Sequence, residues 1–224
     1  MSPHAPHWSV RAAAAVLLVA TAAGCQPLSG TAAGGPPTSD STTRAPAGSS
    51  GTASGRLSKL TVAKAGSMAG YSREKFPHWD STGSNCDVRD SVLQRDATSV
   101  KLSGCNVVAG TWKSLYDGVV LDSPTKVDID HMVPLANAWR SGAAAWTTDR
   151  REQFANDLKD PQLVAVSASS NRSKGDQDPS TWKPKEPGAW CEYATKWIAV
   201  KTVWKLTVTT AEKSALNDML EKCR

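Results

Sequence analysis

Histidine is scarce in this chain. Of four in 224 residues, His4 and His7 lie at the extreme N-terminus, which leaves His78 and His131 for everything after it. No H-E-x-x-H occurs and no Ser, His and Asp follow in an order that builds a hydrolytic triad, so peptidase and cell-wall hydrolase chemistry lack support. No two cysteines have C-x-x-C spacing, and no histidine lies close to any of them, which argues against a zinc site. The apolar run AAAAVLLVATAA, residues 12–23, is shorter than the roughly 20 residues a membrane-spanning helix needs. Residues 26–55 hold almost no charge and almost no large apolar side chains. There is no internal repeat.

The N-terminus reads as an address. Arg11 gives a positive start, residues 12–23 an apolar stretch, and Gly24-Cys25 follows small residues. This resembles a bacterial lipoprotein signal over 1–24, with Cys25 acylated, although Ala22 stands where Leu is commoner. The alternative is ordinary secretory cleavage near Ala23, leaving Cys25 a spare thiol. Either way the chain is expected to be exported, to the outer face of the cell membrane or beyond it. Its only membrane contact would be the lipid. From 25 to 57 the Gly/Ser/Thr/Pro-rich composition cannot bury enough surface to offset ordering and predicts a flexible tether.

Residues 58–224 are enough for one domain with its own core. The mild basic excess permits an anionic partner without demanding one. Four cysteines remain, Cys86, Cys105, Cys191 and Cys223, and in an exported domain they predict two disulfides. Three connectivities exist, of which loop length and locality favour Cys86–Cys105 and Cys191–Cys223.

Alternation and turn residues predict short strands at 100–102, 105–111 and 126–129, and an apolar run at 163–166 predicts another. Helices are expected over 135–145 and 147–158, the latter with Phe154 and Leu158 inward. Trp190, Trp197 and Trp204 recur every seven residues after Pro187. They share one helical face, read as core packing rather than a stacking platform for bases. Thr209 with Glu212 has capping-box spacing and starts a last helix.

The chemistry concentrates in DIDHMVPL, residues 128–135, and in LVAVSASSNRSKGD, residues 163–176. Asp130 and His131 end a predicted strand. Aspartate is a hard oxygen ligand for a divalent ion, and a neighbouring histidine can deprotonate water near neutral pH. Asn171 follows the second strand with Arg172 and Lys174. The order of strand, insertion, strand and helix resembles the HNH, or ββα-metal, nucleases. More narrowly it resembles a secreted branch related to the nuclease half of modification-dependent restriction systems, as do FPHW, CDVRDSVL and GTWKSLYDG.

That resemblance implies an α+β fold: a ββα-metal core, a helical insertion and C-terminal helices, stapled by disulfides. It implies Asp130 and Asn171 as ligands of one divalent ion, Mg²⁺ before Mn²⁺ or Ca²⁺, and His131 as general base. Lys174 and Arg172 would meet substrate phosphate. Asp128 would support the metal loop or be a solvated charge, in equal measure. The substrate would be nucleic acid, DNA before RNA, read by shape and backbone. Arg73 and Arg89 are further phosphate candidates, and Arg140, Arg150 and Arg151 could shape a groove. Arg150 and Arg151 read more simply as a solvated basic face, and His78 as packing against Trp79. In one place the pattern departs: the asparagine that braces the histidine loop in many such modules is replaced by Asp160-Pro161-Gln162. The competing class is a surface lipoprotein that binds an anionic partner on this scaffold without turnover.

Overall fold

A computed structural model describes residues 48–223. The signal, Cys25 and residues up to 47 lie outside the described residues. Helix α1 (Gly48–Lys59) contains three glycines, a poor intrinsic helix former. Its order comes from packing: Ala53, Leu57 and Leu60 are buried on one face and α1 lies against the C-terminal helices. Packed residues therefore occur inside the stretch read as tether, ahead of residue 58.

Strands β1 (Ser81–Gly83) and β2 (Cys86–Asp87) form a small ribbon. Ser84 and Asn85, both at positive φ, turn it as a two-residue hairpin requires. Asp87 then caps α2 (Val88–Asp96) through a reciprocal box with Asp90. Strands β3 (Ala97–Ser103), β4 (Asn106–Lys113) and β5 (Val120–Leu121) make an antiparallel sheet in that order. A disulfide from Cys86 to Cys105 ties β2 to the β3–β4 turn.

The segment that positions the site starts at β6 (Val127–His131) and passes through α3 (Leu135–Arg140) and α4 (Thr148–Ala155). It returns as β7 (Leu163–Ser167) and enters α5 (Ala168–Lys174). β6 and β7 pair antiparallel from Val127↔Ser167 to His131↔Leu163. Side chains alternate across the pair. Val127, Ile129, Leu163 and Ala165 join Val92, Leu93 and Trp112 in one core cluster. Val164 and Val166 face the larger core with Tyr116 and Trp197. Asp128 and Asp130, opposite Val166 and Val164, lie on this second face, which α5 covers.

Two helices close the fold, α6 (Trp190–Val203) and α7 (Thr210–Leu220), the latter with the Thr209/Glu212 capping box. Cys191–Cys223 joins their far ends. The fold is thus mixed α and β with small sheets and both disulfides in the favoured pairing. Trp197 is fully buried, and Trp190 and Trp204 pack against the same core. Trp204 lies just past α6 and donates its indole N–H to Asp157.

Two expected helices are shorter than their composition implies. α3 stops at Arg140 because Ser141 turns its hydroxyl back to the Asn137 carbonyl (2.7 Å), and Gly142 takes φ of 129°. Residues Ala143–Ala145 continue only as a 3-10 turn. α4 ends at Ala155, capped by Asn156, so Leu158 is outside the helix and exposed.

Candidate functional site

A small pocket of about 150 Å³ opens where β6 ends and α5 crosses it; Asp130, His131 and Asn171 all line it, joined by Arg73 and Asp176. The register of β6 against β7 sets this arrangement, because it turns Asp128 and Asp130 toward α5.

Asp130 is almost wholly buried and both its oxygens are engaged. Tyr116 donates its hydroxyl to Oδ2 at 2.5 Å, and the Lys174 ammonium lies 2.7 Å from Oδ2 and 3.0 Å from Oδ1. Lys174 also donates to the His131 carbonyl (2.9 Å) and is 0% exposed. The expectation that Lys174 meets substrate phosphate is therefore corrected: its ammonium is turned inward and held by Asp130 and the His131 carbonyl. Burial pushes the Asp130 carboxyl up and the Lys174 ammonium down, and each charge opposes the other's shift.

Asn171 donates its amide N–H to Asp128 Oδ2 at 3.1 Å. That bond orients the amide and leaves its oxygen as an acceptor. Asp128 is thus tied to Asn171 instead of standing as a solvated charge.

His131 is buried on the other face of β6. Its Nε2 lies 2.9 Å from the Ala155 carbonyl. A carbonyl only accepts, so Nε2 carries the hydrogen and Nδ1 is the bare nitrogen of the neutral ring. Burial holds the imidazole neutral, with its pKa lowered to about 3. His78 and Trp79 flank it with ring centroids 6.0 and 5.9 Å away. His78 packs on Trp79 as expected, and its ring also lies edge-on to that of His131. Trp79 has φ of 65°, unusual for a bulky residue. Asn156 pins the chain on both sides of it, accepting from Asp80 N and donating to Pro77 O.

The brace sought at 160–162 is present in another residue type. Gln162 is fully buried; its side chain accepts from Val133 N (3.1 Å) and donates to Val133 O (2.9 Å). Its own carbonyl accepts from Met132 N. The two residues following His131 are thereby fastened to the start of β7.

Other expected contacts lie elsewhere. Arg172 is exposed on α5 but is not part of the pocket wall. Arg89 donates to the Pro124 and Val127 carbonyls, a structural clamp. Arg151 is buried and donates to the Lys75 and Trp146 carbonyls, which corrects its reading as a solvated charge. Arg150 is exposed over the Trp146 ring, and Arg140 donates to the Asp176 carbonyl. A larger cleft of about 560 Å³ between β4 and the start of α6 contains none of the predicted site residues.

A family model described as GmrSD restriction endonucleases, C-terminal domain, matches residues 85–219. The chain belongs to that family. The match covers β2 through most of α7, including Asp128, Asp130, His131, Gln162, Asn171 and Lys174, but not His78, Trp79 or Arg73. The chain is also 52% identical over 176 residues to a protein of Arthroderma benhamiae described as an uncharacterized secreted protein, covering 78% of this chain and 86% of that one. No solved structure matches.

Among the described residues no cluster of three or more His, Cys, Asp or Glu side chains forms a metal cage, and no helix is long and apolar enough to cross a membrane. The oxygen-bearing side chains lining the pocket are Asn171, Asp176 and Asp130, whose two oxygens already accept from Tyr116 and Lys174. Such a set suits a hard cation that keeps several waters rather than zinc. Sequence reasoning missed Tyr116 and Asp176. Tyr116 lies within GTWKSLYDG, but nothing in that stretch marks it as the partner of an aspartate 14 residues away.

Proposed function

We propose that this chain is an exported endonuclease that hydrolyses phosphodiester bonds of nucleic acid, DNA in the first instance, by HNH-type chemistry. Family membership supports the nuclease class. The observation that carries the chemistry is that Asp130, His131 and Asn171 all line one pocket. In this reading His131, neutral and fixed by its bond to Ala155, takes a proton from the attacking water at Nδ1. Asp130 and Asn171 would hold one divalent ion, Mg²⁺ or else Mn²⁺ or Ca²⁺, which would supply charge stabilisation at the phosphate. Asp128 keeps the Asn171 amide oriented, and Tyr116 and Lys174 keep the Asp130 carboxylate in place. Export is supported by the signal-like N-terminus, by the two disulfides and by the name of the fungal relative. A lipid on Cys25 belongs to the same proposal.

Supercoiled plasmid incubated with the oxidised protein and Mg²⁺ or Mn²⁺ tests this. Nicking that disappears with EDTA and with His131→Ala is expected. A folded protein that cuts neither plasmid, single-stranded DNA nor RNA with any divalent ion would replace the enzyme with a non-catalytic binding module.

A further inference from the structure

The pocket needs a cation for its substrate, and the lysine that the motif supplies is spent. An ammonium has three N–H donors. Those of Lys174 face the two oxygens of Asp130 and the carbonyl of His131, and the side chain is shut from solvent. A phosphodiester entering here would meet two carboxylates, Asp130 and Asp176.

We propose, resting on the nuclease reading, that Arg73 holds the nonbridging oxygens of the phosphodiester in this pocket. It is the one arginine or lysine among the residues lining the pocket. It is exposed, and among the described residues its guanidinium makes no hydrogen bond and no ion pair, while its positive charge disfavours protonation of both Asp130 and His131. A free guanidinium presents a planar fork that matches two phosphate oxygens at once.

The backbone beneath it is anchored. Arg73 opens a 3-10 turn, Arg73–Lys75, whose last carbonyl accepts from Arg151 Nε at 2.8 Å. Phe76, immediately after, is fully buried among Tyr71, Trp139 and Phe154, with ring centroids 6.2 to 6.4 Å away. The base of the arginine is thus fixed while its head stays available, which is the preorganisation a charge-stabilising group requires. Arg73 precedes the family match at residues 85–219; the sequence offered it beside Arg89 as a phosphate candidate, and the tertiary structure sets Arg73, not Arg89, on the pocket wall.

The experiment compares wild type, Arg73→Ala, Arg73→Lys and, as a control away from the pocket, Lys101→Ala. Each is given plasmid and the small diester bis(4-nitrophenyl) phosphate with Mn²⁺, and inorganic phosphate binding is titrated calorimetrically without turnover. Arg73→Ala should lose about 10²-fold in kcat/KM on both substrates and lose phosphate binding, at unchanged melting temperature. Arg73→Lys should recover part of each, and Lys101→Ala should match wild type on the small diester. Full turnover of the small diester by Arg73→Ala, or a loss confined to plasmid, would overturn the assignment. If wild type hydrolyses neither substrate, nor single-stranded DNA or RNA with any divalent ion, the nuclease reading fails by itself, and the titration still decides whether Arg73 holds phosphate.

Discussion

Lys174 and Asp130, 44 residues apart in the chain, form an ion pair at 2.7 Å with the lysine wholly buried. A carboxylate and an ammonium taken out of water are stable only together and with their remaining positions satisfied. Tyr116 and the His131 carbonyl satisfy them here. The pair therefore locks α5 onto β6 and fixes where the Asp130 carboxylate stands.

Breaking the pair from one side should be costly. Lys174→Met leaves a buried charge without a partner and is expected to destabilise the fold by roughly 3–5 kcal/mol in denaturant unfolding. Asp130→Asn combined with Lys174→Met should cost less than the two single changes added together. Strict additivity would show that the two groups do not act as a pair.

Gln162→Ala removes both bonds to the Val133 peptide and leaves its N–H and carbonyl buried without partners. A loss of about 1–3 kcal/mol per unsatisfied group sets the scale. Because the peptide lies two residues after His131, kcat should fall more than KM rises. Gln162→Glu keeps the acceptor for Val133 N–H but turns a buried carboxylate oxygen against the Val133 carbonyl, so it should be at least as damaging as alanine in both measurements.

The buried His131 makes stability depend on pH in a definite direction. Its folded pKa is lowered to about 3 from 6.5, chiefly by burial. Between those values the unfolded chain binds a proton that the folded chain does not, so its contribution is fully present above pH 6.5 and is lost as pH falls. With EDTA present, acidifying from pH 7 to 5 should destabilise wild type by of order 1–2 kcal/mol more than His131→Gln. Parallel unfolding curves for the two proteins across that range would contradict it.

Each disulfide should matter independently. The bridges close loops of 19 and 32 residues, for which chain entropy predicts stabilisation of about 3 and about 4 kcal/mol. Cys86→Ala with Cys105→Ala, and Cys191→Ala with Cys223→Ala, should each lower the melting temperature, the second pair by more. Thermal unfolding followed by circular dichroism reads both.

Local patterns account for what was legible beforehand. The β3–β4 hairpin, the β6 and β7 strands, the capping box at Thr209 and the seven-residue tryptophan spacing all depend on neighbours within a turn or a strand. α3 and α4 were overextended because Ser141, Gly142 and Asn156 end them through side-chain and backbone geometry that an Ala- and Leu-rich composition does not reveal. The first helix was missed for the opposite reason: its glycines argue against helix, and burial of Ala53 and Leu57 overrides them.

By itself the sequence determined the chemistry available here. It set one histidine beside one aspartate at a strand end, an asparagine after the next strand, four cysteines in two local pairs and an N-terminus that reads as an export signal. Only the tertiary structure decided how those groups are used. It turned Lys174 inward, put Gln162 against Val133 from 29 residues away and brought Arg73 to the pocket from outside the family match. The physical reason is that the β6–β7 register and the seat of α5 on it are set by burial across the whole domain. Whether a polar side chain ends in water or against a buried partner follows from that burial, not from its neighbours in sequence.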